Sequence, residues 1–312
     1  MLKLGDRLRM DTGRHFASFN ACPQTGTIIY ISDFIDNVID IYAGPNFAGQ
    51  APCGKLSGSG LSNPQGMTVK AGDLYVANTG GFDVLVFHRG ATSPFKTYTD
   101  PGDGGGQYPV DVTVAADKTV IASNNYAPDN YENGSISTWH KNGTLVGNFP
   151  MVNDISGLFL TLTKSGTLFF NDRDNSGYGY LWRGSCPAGV CGTFSYVGPQ
   201  ANTIGPGGLR VTENDTHLIQ IDESSNVGGE LINYVFRENF SHTSCGFPNE
   251  REAVSEDINF SEHHLFWAGA TIDYVGLGGE MTYPGCVLIG TVPTDVDGEP
   301  IGVAVDRPGP LD

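Results

Sequence analysis

The chain has no apolar run approaching eighteen residues, so no helix in it is expected to span a membrane. Met1 to Gly13 carry charges throughout and lack an apolar centre, so no signal peptide is visible there. Basic residues are scarce: 17 Lys and Arg stand against 34 Asp and Glu, a formal net charge of −17. Nucleic acid and anionic membrane surfaces would be repelled, and neither is expected as a partner. The same charge serves solubility or gathers on a face that attracts cations. No C-x-x-C spacing marks a zinc site. G-x-S-x-G is missing, and no histidine falls where a repeat would set it beside a Ser and an Asp, so a nucleophilic triad has no support.

What is abundant is glycine, 43 residues in 312, and a pattern that returns. Pro64 to Phe87 (P-Q-G-M-T-V-K-A-G-D-L-Y-V-A-N-T-G-G-F-D-V-L-V-F) reads as strand, tight turn, strand, Gly-rich turn, strand. Three short strands cannot bury a face alone, so the unit has to stack against copies of itself. Copies begin at Pro109, near Ser156, near Gly207 and near Glu256. Pro300 to Asp306 supplies only a first strand, and the missing strands stand at the other terminus, in Gly26-Asp33 and Val38-Tyr42. A spacing of about 42 to 50 residues is that of a propeller blade. The expectation is an all-β, six-bladed β-propeller of four-stranded antiparallel blades. One blade pairs N- and C-terminal segments and so removes an open sheet edge. Residues 1–25 are expected to pack on the ring, and 26–312 to form the propeller.

P-Q-G-M-T-V…D-L-Y-V-A-N and I-I-Y-I-S-D-F-I-D-N-V-I-D-I-Y resemble the six-bladed propellers of the NHL-repeat and SMP-30/gluconolactonase-like superfamily, over roughly residues 26 to 306. The whole is also similar to a group of secreted bacterial propeller proteins without an assigned activity. The resemblance to the lactonases implies a metal in the channel, held by Glu and Asn/Asp where strands begin. The chain departs there: the family's P-N-G stands as Pro64-Gln65-Gly66, and Gly207 and Gly302 offer no ligand, which counts against a lactonase.

Up-and-down connectivity puts the start of each first strand and the end of each second strand on one face. Asp33, Gln65, Asn78, Asp111, Asn124, Asp222 and Asp257 are therefore expected to ring the channel mouth. Such oxygens suit Ca²⁺ or Mg²⁺ or a polar ligand; equally, Asp and Asn make turns by bonding nearby backbone N–H groups. Asp172, Asp174 and Ser176, in D-R-D-N-S-G, are a separate calcium candidate, although at position twelve an EF-hand would want Glu where Arg183 stands. His263-His264 is expected at the opposite face as a surface pair, and Trp139, Trp182 and Trp267 as packing between blades.

The six cysteines are even in number and allow fifteen pairings; Cys22–Cys53, Cys186–Cys191 and Cys245–Cys286 are expected. Disulfides imply an oxidising compartment, so the protein is expected to be secreted or periplasmic. The function expected first is non-enzymatic binding of a protein, glycan or other polar ligand through the upper loops. The alternatives are a metal-dependent lactonase or other hydrolase at the channel mouth, and a subunit of an extracellular assembly.

Overall fold

The computed structural model describes residues 22–306 except 24, 45–47, 102–106, 126–133, 152–155, 175–177, 213, 224–228, 236–238, 247–251, 259–262, 271–275 and 294–299. The N-terminal segment 1–21 thus lies outside the described residues. The described chain folds into six four-stranded antiparallel sheets. Blade 1 pairs β24 (Pro300–Asp306), innermost, with β1 (Ile28–Asp33), β2 (Val38–Ala43) and β3 (Gly54–Ser57). Blade 2 follows as β4 (Pro64–Lys70), β5 (Asp73–Asn78), β6 (Asp83–His88) and β7 (Lys96–Thr99). Blade 3 is β8 (Pro109–Val114), β9 (Val120–Asn124), β10 (Ser135–Trp139) and β11 (Leu145–Pro150). Blade 4 is β12 (Ser156–Leu162), β13 (Thr167–Arg173), β14 (Gly179–Ser185) and β15 (Ser195–Tyr196). Blade 5 is β16 (Pro206–Val211), β17 (His217–Asp222), β18 (Glu230–Val235) and β19 (Ser241–Gly246). Blade 6 is β20 (Glu252–Ile258), β21 (His264–Ala270), β22 (Gly276–Thr282) and β23 (Leu288–Pro293). Each innermost strand touches the next, and β20 touches β24, so the ring is closed. No helix among the described residues is long and apolar enough to cross a membrane.

Period-two side-chain alternation builds the core. Ile28 and Tyr30 face blade 2 while Ile29 and Ile31 face blade 6. Phe170 and Phe169 likewise pack toward blades 3 and 5. The described residues form six buried apolar clusters, one at each joint between blades. Tight turns follow the sequence: Lys70 pairs with Asp73 across Ala71 and Gly72, whose φ of 52° and 78° are those of a type I′ hairpin.

One irregularity recurs in every blade. The innermost strand slips register against its neighbour near the start, between Pro64 and Met67, Pro109 and Asp111, Gly157 and Leu160, Pro206 and Leu209, and Ala253 and Ser255. In blade 1 the slip falls beside Ser32 and Asp33. Four blades have Pro at this place, where a strand can do without the N–H. The bulge bends the strand toward its neighbours. A Cβ on Gly66 would come 2.2 Å from Asp111 Oδ1, and one on Gly302 2.1 Å from the Gln65 carbonyl, so only glycine lets the strands converge there.

The ring is pinned at the opposite end by Arg89, which donates to Asp306 Oδ2 at 2.6 Å and to the Gly26 carbonyl at 2.6 Å. One guanidinium thus holds the last residue of β24 and the approach to β1. Burial pushes the Asp306 carboxyl up, against the pull of Arg89. All three expected disulfides are present: Cys22–Cys53, Cys186–Cys191 and Cys245–Cys286.

Two expectations need correction. The first strand of blade 6 starts at Glu252, four residues before Glu256, because the slip at Ala253 and Ser255 breaks the alternation that marks a strand. His263 is exposed, whereas His264 is half-buried, with its Nδ1 2.5 Å from Oε1 of Glu280, which is fully buried.

Candidate functional site

The upper face is where innermost strands begin and second strands end. Five of the polar residues expected to ring its mouth are buried beneath it. Asp33 and Asn78 close β1 and β5, Asn124 and Asp222 close β9 and β17, and Asp111 sits in the bulge of β8. Asp33 Oδ1 accepts from the N–H groups of Ile35 and Asp36, at 3.1 and 2.9 Å, and so caps the turn into β2. Asp222 accepts from Ile204 and Gly205, at 3.0 and 2.9 Å. Asn78 accepts from Ser62 N at 2.6 Å and donates to the Gly60 carbonyl at 3.0 Å and to Asp83 Oδ1 at 2.7 Å. Asp111 Oδ1 takes the N–H of Val112 at 2.8 Å, and Oδ2 crosses to Leu160 N of blade 4 at 3.1 Å. Asn124 Nδ2 donates to Ser135 and Ser137 Oγ, at 3.0 and 2.7 Å. Asp33, Asn78 and Asp222 thus partner backbone groups that the turns leave open, while Asp111 and Asn124 bond groups within the strands.

Gln65 is half-buried, and its carbonyl accepts from Ser32 Oγ at 2.8 Å. Asp257 does not belong with the others. It pairs with Phe266 next to the last residue of β20, at the lower end of the strand, because that strand begins earlier than the sequence pattern implies. Its side chain lies outside the described residues.

Of the calcium candidate, Ser176 lies outside the described residues. Asp172 Oδ1 accepts from Tyr180 N at 3.2 Å, and its Oδ2 accepts from Trp182 Nε1. Asp174 accepts from Tyr178 N and from Tyr180 OH, each at 3.0 Å. Both carboxylates thus accept from donors of their own hairpin. No group of three or more His, Cys, Asp or Glu converges among the described residues. Burial lifts the Asp172 carboxyl to about 7, outweighing the hydrogen bonds from Trp182 and Tyr180 that favour its charged form.

Two further features were not foreseen. Arg210 of β16 donates to the Met67 carbonyl of β4 at 2.9 Å. Blades 5 and 2 are opposite in a ring of six, so this side chain spans the centre. An isolated Arg in an inner strand was the available signal, in the segment G-G-L-R-V. The second feature is a cavity of about 260 Å³ at the perimeter, between β11 of blade 3 and β13–β15 of blade 4. Trp182 lines it half-buried, unlike Trp139 and Trp267, which are buried between blades as expected. Tyr178, Tyr180 and Trp182, with Phe194 and Tyr196, alternate along the hairpin, and that period-two aromatic pattern is readable in the sequence.

No protein-family model matches the chain, and no curated protein matches its sequence. The fold does match solved structures. A chain of the Nidogen/Laminin complex is similar with a TM-score of 0.67 and 10% identity, over 90% of this chain and 98% of that one. A protein of unknown function from Bacteroides caccae is similar at 0.62 and 10%, over 91% and 100%. TolB from Acinetobacter baumannii is similar at 0.61 and 10%, over 90% of this chain and 66% of its own. At these identities the likeness is one of fold, a β-propeller, and it assigns neither the NHL-repeat nor the SMP-30 superfamily.

Proposed function

We propose that this propeller is a non-enzymatic binding protein of an extracellular or periplasmic compartment, and that it takes a protein or other polar partner on its upper face. One observation carries the reading. Five of the polar residues that the repeat delivers to that face are buried and bonded to backbone or to neighbouring side chains, so the segments that follow them in sequence, which differ from blade to blade, are left to meet a partner. Three disulfides fit an oxidising compartment. One protein of similar fold is a chain of the Nidogen/Laminin complex, a protein–protein assembly, which agrees with such a role.

The test is capture from an extracellular fraction and binding to a glycan array, using the intact chain and two variants. In one, residues 126–133 of the upper face are replaced by a Gly/Ser linker of equal length; in the other, residues 141–143 of the lower face are. Capture that survives the lower change and is lost with the upper one, at unchanged melting temperature, is the expected result. Lactone hydrolysis abolished by EDTA, with no specific capture, would replace this reading with the metal-dependent hydrolase.

A further inference from the structure

The cavity at the joint of blades 3 and 4 is lined by none of the polar residues of the upper ring. Its walls are rings: Phe149 from β11, Phe170 from β13, Trp182 from β14 and Phe194 just before β15. Met151 adds an apolar wall, and Thr193 stands exposed at the mouth. It opens outward because β15 is only two residues long, Ser195–Tyr196, and covers β14 only at Trp182 and Arg183.

From this geometry we propose that the cavity is a binding site for a small neutral aromatic molecule of one or two fused rings. A dry apolar cavity of about 150 Å³ takes up benzene, and a larger one of the same character has room for a bicyclic ring. The cavity here is about 260 Å³. Phe170 and Trp182 lie within 10° of parallel with centroids 6.4 Å apart, and Phe194 stands at 90° to Phe170 with centroids 4.8 Å apart. A planar guest therefore meets both faces and edges, the two arrangements that ring quadrupoles favour.

Other ligand classes fit worse. The Trp182 N–H is committed to Asp172, and the hydroxyls of Tyr180 and Tyr196 are committed to Asp174 and Asn202. Thr193 supplies the one polar side chain of the lining, too little for a saccharide. An anion would enter beside Asp172 in a chain of net charge −17. The site is also preformed, which lowers the ordering cost of binding. The Cys186–Cys191 disulfide closes the loop beside it, Thr138 Oγ1 holds the Gly189 carbonyl at 2.6 Å, and Gly192 N donates to Ser185 O at 3.0 Å.

5-Fluoroindole followed by ¹⁹F NMR against the whole chain is the probe. Saturable binding, displaced by naphthalene but not by tetramethylammonium or decanoate, is expected. Thr193→Phe puts a ring in the mouth from an exposed position and should weaken the probe by about tenfold, the ratio equivalent to ~1.4 kcal/mol. Phe149→Ala removes a wall from an outermost strand and should weaken it by a similar factor, which keeps the test open if the first variant misfolds. No saturable shift with folded protein, equal binding by both variants, or preferential displacement by tetramethylammonium or decanoate would overturn the proposal. None of these results bears on the upper-face reading, whose test reads capture of a partner and not uptake of a small aromatic.

Discussion

Ser32 and Ala268 hold the same place in their blades, one residue before the position opposite the bulge, yet they join their neighbours differently. Ser32 Oγ donates to the Gln65 carbonyl of blade 2 and accepts from Gly302 N, each at 2.8 Å. Asn171, equivalent in blade 4, donates to the Gly207 carbonyl of blade 5 at 2.7 Å. Ser123 of blade 3 donates to the Leu158 carbonyl of blade 4, and in blade 2 Thr79 reaches Pro109 of blade 3 at 2.6 Å. In blades 2, 5 and 6 the position itself holds Ala77, Ile221 and Ala268, each within an apolar cluster, and in blade 2 it is Thr79, two residues on, that supplies the hydroxyl. Between these last two blades a covalent link appears instead, from Cys245 in β19 to Cys286 after β22. The bulge strips carbonyls of their ladder partners in every blade. Blades 1 to 4 answer with side chains; the joints of blade 6 with blades 5 and 1 answer with apolar packing, and the first of these carries a disulfide as well. The polar half is therefore expected to respond to pH and hydrogen-bond deletion, and the apolar half to reduction.

The largest effect expected is on pH. Asp172 is fully buried, and burial raises its carboxyl from an ordinary 3.8 to about 7. The unfolded chain releases this proton near pH 4 and the folded chain keeps it longer. The contribution is fully present below about pH 4 and is lost as pH rises to 7, on the order of 4 kcal/mol at ~1.4 kcal/mol per pH unit. Asp172→Asn should flatten that slope. Hydrogen exchange at pH 5 and pH 8 should show β13 and β14 loosening with pH in the native chain and not in the variant, with β17 and β21 unchanged in both. An equal pH response in blades 4 and 6 would erase the contrast.

Next in size is the disulfide. Cys245 and Cys286 are 41 residues apart, and closing a loop of that order is worth about 4 kcal/mol. Replacing both by Ser should lower stability by about that amount in denaturant titration, with faster exchange in β19 and residues 283–288. Replacing Cys186 and Cys191, which are 5 apart, should cost less and leave the joint of blades 5 and 6 as it was.

Much of the fold was legible because a propeller is written once and repeated. Pro64, Pro109, Ser156 and Pro300 mark first strands in sequence and in structure alike. Glu252 was not readable, because a bulge interrupts alternation. Asp and Asn at the ends of second strands were legible as positions but not as roles. Whether such a carboxylate faces solvent or its own turn depends on how the following loop folds back, and that path is not periodic. The aromatic cavity lay further out of reach. Phe149 and Met151 meet Trp182 and Phe194 only when blades 3 and 4 stack, more than thirty residues apart in sequence, and blade 4 breaks the repeat there with a two-residue outer strand.

The smallest effect expected separates a clasp from a filler. Ser32→Ala leaves the Gln65 carbonyl and Gly302 N without their shared hydroxyl at a place where Ser32 is fully buried. A buried polar group left unsatisfied costs about 1–3 kcal/mol, and slight movement of the bulge lets the two groups approach each other, so about 1 kcal/mol is expected in denaturant titration. Ala268→Ser makes the reverse change among Phe266, Val292 and Val303. Its hydroxyl should destabilise by a similar amount rather than add a joint. If the added serine stabilised blade 6 as much as Ser32 stabilises blade 1, the two halves would share one design after all, and the apolar joint would be only a clasp with its hydroxyl missing.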